Sequence, residues 1–229
     1  MNAAKKTRTV KKPEIRRQEI VATATRLFLD KGYERTSTTD VMKALEIAKG
    51  TIYHYFPSKG ALMEAVVDQL ADDYVQRRVR IVEEIDGDAI VKIEAFFAPD
   101  HRTDEEIRNT EHLHSDDNVR LHARLLAVLV EKMAPPFGEL IAQGCSEGVF
   151  RTEHPLEAAE LLLAGVQFLT DDGVYPWDRT AITRRSLAFP DLAETLLNAP
   201  AGSFAWLSRT AEDDPHDGSQ SDRDPGERS

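Results

Sequence analysis

The chain has 229 residues, of which 41% are hydrophobic and 30% are charged. That length is enough for one globular core, or for a small module joined to a larger one. No run approaches 18 apolar residues and no secretory signal pattern follows the N-terminal residues, so we expect a cytoplasmic protein with no membrane partner. The single cysteine, Cys145, excludes an internal disulfide and any metal site built from several cysteines.

The charge is divided unevenly along the chain. Residues 1–60 carry 13 Lys and Arg against 6 Asp and Glu, whereas residues 61–229 carry 16 against 34. The net charge of −11 therefore combines a basic N-terminal region with an acidic remainder. A basic region of this kind suits a polyanion partner, although a basic face that is merely solvated has the same composition.

Helical periodicity runs through most of the chain, and no segment shows convincing strand alternation. The first four helices are expected over residues 13–31, a short stretch after residue 37, 49–56 and 59–84. Gly32 follows the first helix as a C-terminal glycine should, and Ser37 with Asp40 approximates a capping box for the second. Pro57 cannot continue the third helix, and Ser58 is placed to cap the fourth.

The remainder predicts a helical bundle. Helical segments are expected near 88–98, 103–114, 117–133, 136–147, 155–170, 179–188 and 191–198. Pro135 and Pro136 are expected to separate two of these helices, because proline interrupts a helix interior. Residues 209–229 contain no large apolar side chain, which predicts a disordered tail.

Two short helices joined by a tight turn within the first 56 residues have the spacing of a helix-turn-helix. In such a motif the second helix enters the DNA major groove and offers side chains to the base edges. Here that helix reads KGTIYHY over residues 49–55, with one cation, one hydroxyl, two phenols and an imidazole. Ile52 and Phe56, four residues apart, are left to supply its inward contact.

The segment from Ile20 to Ala65 closely resembles the DNA-binding domain of TetR-family transcriptional regulators. The resemblance is carried by ATRLF at 24–28, KGY at 31–33, TS at 36–37, DV at 40–41, AKGTIYHYF at 48–56 and SKGAL at 58–62. It implies a ligand-responsive regulator, and more specifically a repressor that a small molecule releases from a palindromic operator. The implied partners are double-stranded operator DNA, a small-molecule effector and a second copy of the chain, with no cofactor.

The resemblance also implies a fold and a division of the chain. The expected fold is all-α, with an N-terminal three-helix DNA-binding domain containing the helix-turn-helix, followed by a larger helical-bundle domain for ligand binding and dimerisation. The expected parts are a basic flexible arm at 1–12, the DNA-binding domain at 13–58, the effector and dimerisation domain at 59–208 and the acidic, polar tail at 209–229.

By position, the resemblance implies ten residues at the DNA. They are Thr36, Ser37, Thr38, Lys49, Gly50, Thr51, Tyr53, His54, Tyr55 and Lys59. Thr51, Tyr53 and Lys59 are expected mainly at phosphates. Lys49 and His54 are expected to reach base edges, with Lys49 the better guanine reader.

One residue departs from the family pattern. Glu46 stands in the turn between the two short helices, where the family usually has glycine. A glutamate with positive φ costs roughly 1 kcal/mol, so either the turn is strained or its backbone differs slightly. The substitution also adds a carboxylate near the face expected to meet DNA.

Two features are expected in the remaining helices. A ligand pocket is expected between the middle helices, although each residue of its lining is more often plain core than a ligand contact. The expected lining residues are Phe96, Phe97, Leu113, Leu125, Leu126, Leu129 and Phe137. A dimer interface is expected on helix 155–170 and on the last helices, with ordinary intrachain packing as the alternative. The expected interface residues are Ala159, Leu162, Leu163, Val166, Leu187, Phe189, Leu192, Leu196 and Leu197.

Other functions are weighed against this one. His101, His112, His114 and His122 are close in sequence, but no pair has the His-x-x-x-His spacing of a helical zinc site, so no metal site is expected. We find no nucleophile elbow, phosphate-binding loop or dinucleotide fingerprint, so no enzyme is expected. A non-specific DNA-binding protein fits poorly, since the acidic remainder would repel DNA.

Overall fold

The computed structural model describes residues 12–98, 112–171 and 173–208, and all regular elements in these ranges are helical. The α-helices are α1 (Pro13–Lys31), α2 (Thr38–Ala44), α3 (Lys49–Tyr55), α4 (Lys59–Glu84), α5 (Ala89–Phe97), α6 (Val119–Ser146), α7 (Pro155–Thr170) and α8 (Arg179–Leu197). Two 3₁₀ turns cover Asp116–Asn118 and Ala205–Ser208. The predicted all-α fold is confirmed. The arm up to residue 11, most of the helix expected at 103–114 and the tail at 209–229 lie outside the described residues. No helix within these ranges is long and apolar enough to cross a membrane.

The N-terminal head (residues 12–58) folds around a core that α1, α2 and α3 share with the first half of α4. Its most deeply buried side chains are Ile20, Ala24, Phe28, Val41, Ile52, Leu62, Val66 and Val67. The same core continues to Leu121, Leu125 and Val128 of α6. The head is therefore packed directly against the helical body (residues 59–208).

Local signals set the helix ends in the head as the sequence predicts. Ser37 caps α2 by accepting the N–H of Asp40, while the Asp40 carboxylate accepts the N–H of Ser37, which completes the capping box. Ser58 caps α4 in the same way by accepting the N–H of Ala61 at 3.0 Å. Gly32 ends α1 with φ of 87°, a conformation that glycine adopts at little cost.

The body has a second core among α5, α6, α7 and α8. In two of these helices a proline does not end the helix as the sequence predicts. Pro135 and Pro136 lie inside the continuous helix α6, so the predicted break between two helices is wrong. A proline in a helix interior costs about 3 kcal/mol. Met133, Ala134 and Phe137 are buried on both sides of the pair, and such burial is worth about 1.5–3 kcal/mol for each large side chain. Packing on both flanks therefore keeps the helix continuous.

The same effect joins the two helices expected at 179–188 and 191–198. They form the single helix α8, which contains Pro190. Phe189, Pro190 and Ala193 are all buried, so the proline ring itself contributes to the contact that keeps the helix together.

Candidate nucleic-acid interface and effector cavity

Helix α3 has one buried face and one exposed face. Ile52 is fully buried, and Phe56, just after the helix, is buried beside it in the head core. Lys49 and Tyr53, which also lie four residues apart, are on the exposed side, with the Lys49 ammonium 5.7 Å from the centre of the Tyr53 ring. His54 is exposed as well and contacts the Tyr55 ring edge-to-face at 5.1 Å. The inward contact thus fixes which side chains α3 presents to solvent.

The exposed face of α3 continues onto the start of α2. The hydroxyls of Thr38 and Tyr53 lie 3.3 Å apart and connect the two helices. Ser37 is exposed, and its hydrogen bonds hold the pKa of Asp40 below its ordinary value, so the Asp40 carboxylate stays ionised in its cap. Thr38, Ser37 and Tyr53 therefore form one polar surface, which is the arrangement that a contact with phosphates requires.

Two of the ten expected DNA contacts have other roles in this structure. Thr36 is buried, and its hydroxyl donates to the carbonyls of Leu27 and Gly32, so the expectation that this hydroxyl faces DNA is not supported. The Lys59 ammonium donates to the Glu34 carbonyl at 3.1 Å and lies 4.1 Å from the centre of the Tyr33 ring. Lys59 is half-buried and fixes the end of α1 against the start of α4.

The remaining positions fit an open surface. Gly50 is exposed, and a Cβ added there would meet no atom within 4 Å, so the protein leaves this backbone accessible. Thr51 and Tyr55 are half-buried. Glu46 is exposed and has φ of 52°, so of the two alternatives for the turn the structure has the left-handed glutamate.

A cavity of about 360 Å³ lies in the body. Six of the seven expected lining residues border it, namely Phe97, Leu113, Leu125, Leu126, Leu129 and Phe137. The exception is Phe96, which is buried behind the wall and stacks on Phe137 at 6.2 Å between ring centres. The lining residues that sequence reasoning missed include Tyr74 of α4, Met133 of α6, Gln167 of α7 and Ala193 of α8, together with Phe204, Trp206 and Leu207 at the last 3₁₀ turn and just before it.

The polar groups of this cavity gather at one end. His114, His122, Gln167 and Asp171 all border it, while the rest of the wall is almost entirely apolar. His122 Nε2 lies 3.0 Å from Oδ2 of Asp171, and Gln167 donates to the Leu126 carbonyl at 3.1 Å. Asp171 follows α7 and is 49 residues from His122, so no local pattern in the sequence joins the two.

The dimer residues expected on α7 differ in exposure. Ala159 and Leu163 are buried in the body core, whereas Leu162 and Val166 are half-buried and line the cavity together with Leu163. On α8, Phe189 and Leu197 are also core residues. The exposed large apolar side chains of α7 and α8 are Leu156, Leu161, Leu187, Leu192 and Leu196.

One buried side chain connects the cavity region with the head. Asn118 is fully buried, and its Oδ1 accepts the N–H of Tyr33 at 2.7 Å. Its Nδ2 donates to the carbonyls of Phe28 and His112. The segment 112–122 that carries His114 and His122 therefore also holds the C-terminal end of α1.

Ion pairs join α4 to α6 along the body. Arg124 donates to Glu64 at 2.8 Å, and Lys132 contacts Asp72 at 2.6 Å and Asp68 at 3.4 Å. Such partly exposed pairs are worth at most about 1 kcal/mol each. They nevertheless fix how α4, which leads directly from the head, is placed against a helix of the cavity wall.

Comparison with known proteins agrees with this architecture. The family model "Bacterial regulatory proteins, tetR family" matches residues 20–66, and "Tetracyclin repressor-like, C-terminal domain" matches residues 102–192. Together the two models cover more than half of the chain. The transcriptional repressor NemR of Escherichia coli is 30% identical over 81 residues, which is 35% of this chain and 41% of NemR. The transcriptional repressor KstR2 of Rhodococcus jostii is 24% identical over 148 residues, 63% of this chain and 72% of KstR2.

Several of the curated relatives are matched over only about a fifth to two fifths of their own length. Among solved structures, a TetR-family regulator from Pectobacterium atrosepticum superposes with a TM-score of 0.57 at 21% identity, covering 83% of this chain and all of that one. That likeness is one of fold. From the two matched models and the helical architecture, the chain belongs to the TetR family of bacterial regulatory proteins.

Proposed function

We propose that this protein is a homodimeric transcriptional repressor that binds operator DNA through α3 of each copy. The observation that carries the proposal is the orientation of α3, with Ile52 buried and Lys49, Tyr53 and His54 exposed. A cation, a phenol and an imidazole on one short exposed helix suit phosphates and base edges in a major groove. Two similar proteins, NemR and KstR2, are named as transcriptional repressors, which supports repression over activation.

The cavity is the proposed effector site. Its volume of about 360 Å³ is within the range of small-molecule pockets. Because its wall is apolar except at the end formed by His114, His122, Gln167 and Asp171, the effector is a largely apolar molecule with one polar group.

The effector acts in this proposal by a population shift. Two helix-turn-helix units read a palindrome only when their recognition helices are about 34–36 Å apart. A ligand that favours a body conformation with another spacing lowers DNA affinity by its differential affinity for the two states. Asn118 and the ion pairs between α4 and α6 are the contacts through which the cavity wall and the head move together.

Dimerisation is proposed through the outer faces of α7 and α8. Leu161, Leu187 and Leu192 are each about 60% exposed there, at 62%, 64% and 60%. Exposed leucines on two helices that contact each other favour contact with a second apolar surface, and a two-fold dimer supplies the same surface from its partner.

Fluorescence anisotropy tests the DNA-binding proposal. The full chain is titrated with duplexes from its own upstream intergenic region and with random duplex, from low to physiological salt. We expect specific binding at tens of nanomolar or tighter, with affinity that falls steeply as salt rises. Tyr53→Ala weakens binding to both duplexes, whereas Lys49→Ala mainly reduces the preference for the specific one.

The matched control is Lys92→Ala, which removes the same charge from α5 of the body. It leaves both affinities unchanged, since Lys92 is remote in the chain from the exposed face of α3. Equal effects of Lys49→Ala and Lys92→Ala would place the DNA contact elsewhere and contradict the proposal.

A further inference from the structure

We propose that His114, His122 and Asp171 form a binding site for one divalent transition-metal ion of the zinc type, at the polar end of the cavity. The three side chains come from different places in the chain: His114 precedes the first 3₁₀ turn, His122 is in the first turn of α6, and Asp171 follows α7. One potential ligand atom from each lies within 4.8 Å of the others. Two imidazoles and a carboxylate are a donor set that suits zinc and its neighbours.

The distances fit a tetrahedral ion. Zinc bonds to nitrogen and oxygen ligands are about 2.0–2.2 Å long, so neighbouring ligand atoms around the ion are about 3.4 Å apart. The Nε2 atoms of His122 and His114 lie 3.0 and 3.8 Å from the same Asp171 oxygen, Oδ2. These two distances bracket the required one, so small side-chain movements accommodate the ion.

The surroundings hold two of the ligands in place. The other carboxylate oxygen of Asp171, Oδ1, accepts the N–H of Val174 at 3.0 Å, which leaves Oδ2 directed to the histidines. Gly173 lies against the His122 ring so closely that an added Cβ would be 2.8 Å from Cε1 and 2.9 Å from Nδ1. Backbone support of this kind, outside the ligand atoms themselves, is what orients the ligands of metal sites.

A simple hydrogen bond between His122 and Asp171 is the alternative. That pair is buried, with side-chain exposures of 7% and 10%, and one hydrogen bond accounts for their contact. It does not account for His114, which is 38% exposed yet directs Nε2 to the same oxygen and has its ring centre 4.6 Å from that of His122. Three donors that converge on one point favour a cation between them.

The site has a fourth position that faces the cavity, because all three ligands border it. Water, or an oxygen or sulfur donor on a small molecule, completes the coordination there. Both histidines belong to the segment whose Asn118 holds the end of α1, so occupancy of the site is expected to affect the head. This last step rests on the proposed function, whereas the metal site itself does not.

Titration with Co²⁺ tests the site directly. The full chain, treated with a chelator and then freed of it, is titrated with Co²⁺ while visible absorption is recorded, and Zn²⁺ is then added as a competitor. We expect one ion per chain, the intense visible bands of four-coordinate Co²⁺, and displacement by Zn²⁺. His114→Ala and Asp171→Asn each weaken binding by more than about 100-fold, since loss of an outer partner alone costs 10–100-fold.

His154→Ala is the matched control, because His154 is exposed at the N-terminus of α7 and outside the cluster. It leaves the affinity unchanged, and circular dichroism verifies that all variants are folded. If Asp171→Asn does not fold, His114→Ala decides, since that side chain is partly exposed. Absence of saturable binding, or affinity that survives His114→Ala, overturns the proposal. Failure to bind DNA leaves this result unaffected and bears only on the proposed function.

Discussion

The head and the body use their helices in opposite ways. In the head, Ile52 is buried so that Lys49, Tyr53 and His54 face solvent, and one short helix is enough to build the surface. In the body, side chains from five helices and a 3₁₀ turn face inward and enclose a cavity. A surface that binds a polyanion needs only a fixed orientation, whereas a cavity needs several elements held at a distance from one another.

The two regions are nevertheless one packed unit. The head core continues through α4 into Leu121 and Leu125 of α6, and Asn118 closes the contact with α1. Packed side chains therefore connect the cavity wall to the helices that hold α3.

The largest effect on operator affinity is expected from substitutions on the outer surface of α8, where the dimer contact is proposed. The double variant Leu187→Glu with Leu192→Glu places charges on the proposed dimer surface, so the chain becomes monomeric. Operator affinity falls by at least about 100-fold, because the gain from linking two binding units is lost. Analytical ultracentrifugation and anisotropy measure the two effects. Val91→Glu, at an exposed apolar position on α5, is the control, and an unchanged dimer in the double variant would contradict the proposed surface.

Asn118→Ala tests the junction between the head and the body. The variant leaves the buried N–H of Tyr33 without its acceptor and removes one of the two donors to the carbonyl of Phe28, which keeps the N–H of Gly32; the expected cost is about 1–3 kcal/mol in the free energy of unfolding. Urea denaturation followed by circular dichroism measures it. Arg124→Ala removes a partly exposed ion pair and costs less than about 1 kcal/mol. If the two variants cost the same, the junction does not join the regions as described.

A bulky side chain in the cavity tests the proposed effector site. Leu162→Trp fills part of the cavity and weakens binding of 1-anilinonaphthalene-8-sulfonate, an aromatic dye with one anionic group, by about tenfold, equivalent to about 1.4 kcal/mol. Fluorescence titration measures the dye, and Glu139→Trp on the exposed side of α6 is the control. Unchanged dye binding in Leu162→Trp would show that the dye binds outside this cavity.

The smallest effect concerns the turn of the helix-turn-helix. Glu46→Gly relieves a left-handed glutamate and stabilises the fold by up to about 1 kcal/mol. Glu46→Ala removes the carboxylate but keeps a side chain at positive φ, so it does not stabilise. If the carboxylate also repels phosphates, DNA affinity rises in both variants. Thermal unfolding distinguishes them, and equal stability of the two variants would show that the turn is not strained.

Sequence reasoning succeeded where the signal is local. Ser37 and Asp40 are three residues apart and make their own cap, and Glu46 could be identified by its place in a short turn. Thr36 was misjudged because its hydroxyl is satisfied by the carbonyl of Leu27, nine residues earlier, in a contact that depends on how α1 ends. The head was thus predictable except where its fold buries a polar group.

The body was harder because its contacts are distant in sequence. Leu162 and Val166 have the pattern of an apolar helix face, and nothing in that pattern tells a cavity wall from a dimer surface. Pro135 follows a rule that packing overrides. Asp171 contacts His122 only because α7 packs on α6, so the spacing of residues in the sequence could not predict the polar end of the cavity.

Hydrogen–deuterium exchange of the full chain, with and without its operator duplex, tests the division of roles most directly. The account predicts that DNA slows amide exchange most strongly in residues 37–55, which include α2 and α3, and that Tyr53→Ala reduces this protection. Slowing confined to residues 119–197, with none at 37–55, would place the DNA contact on the body and contradict the account.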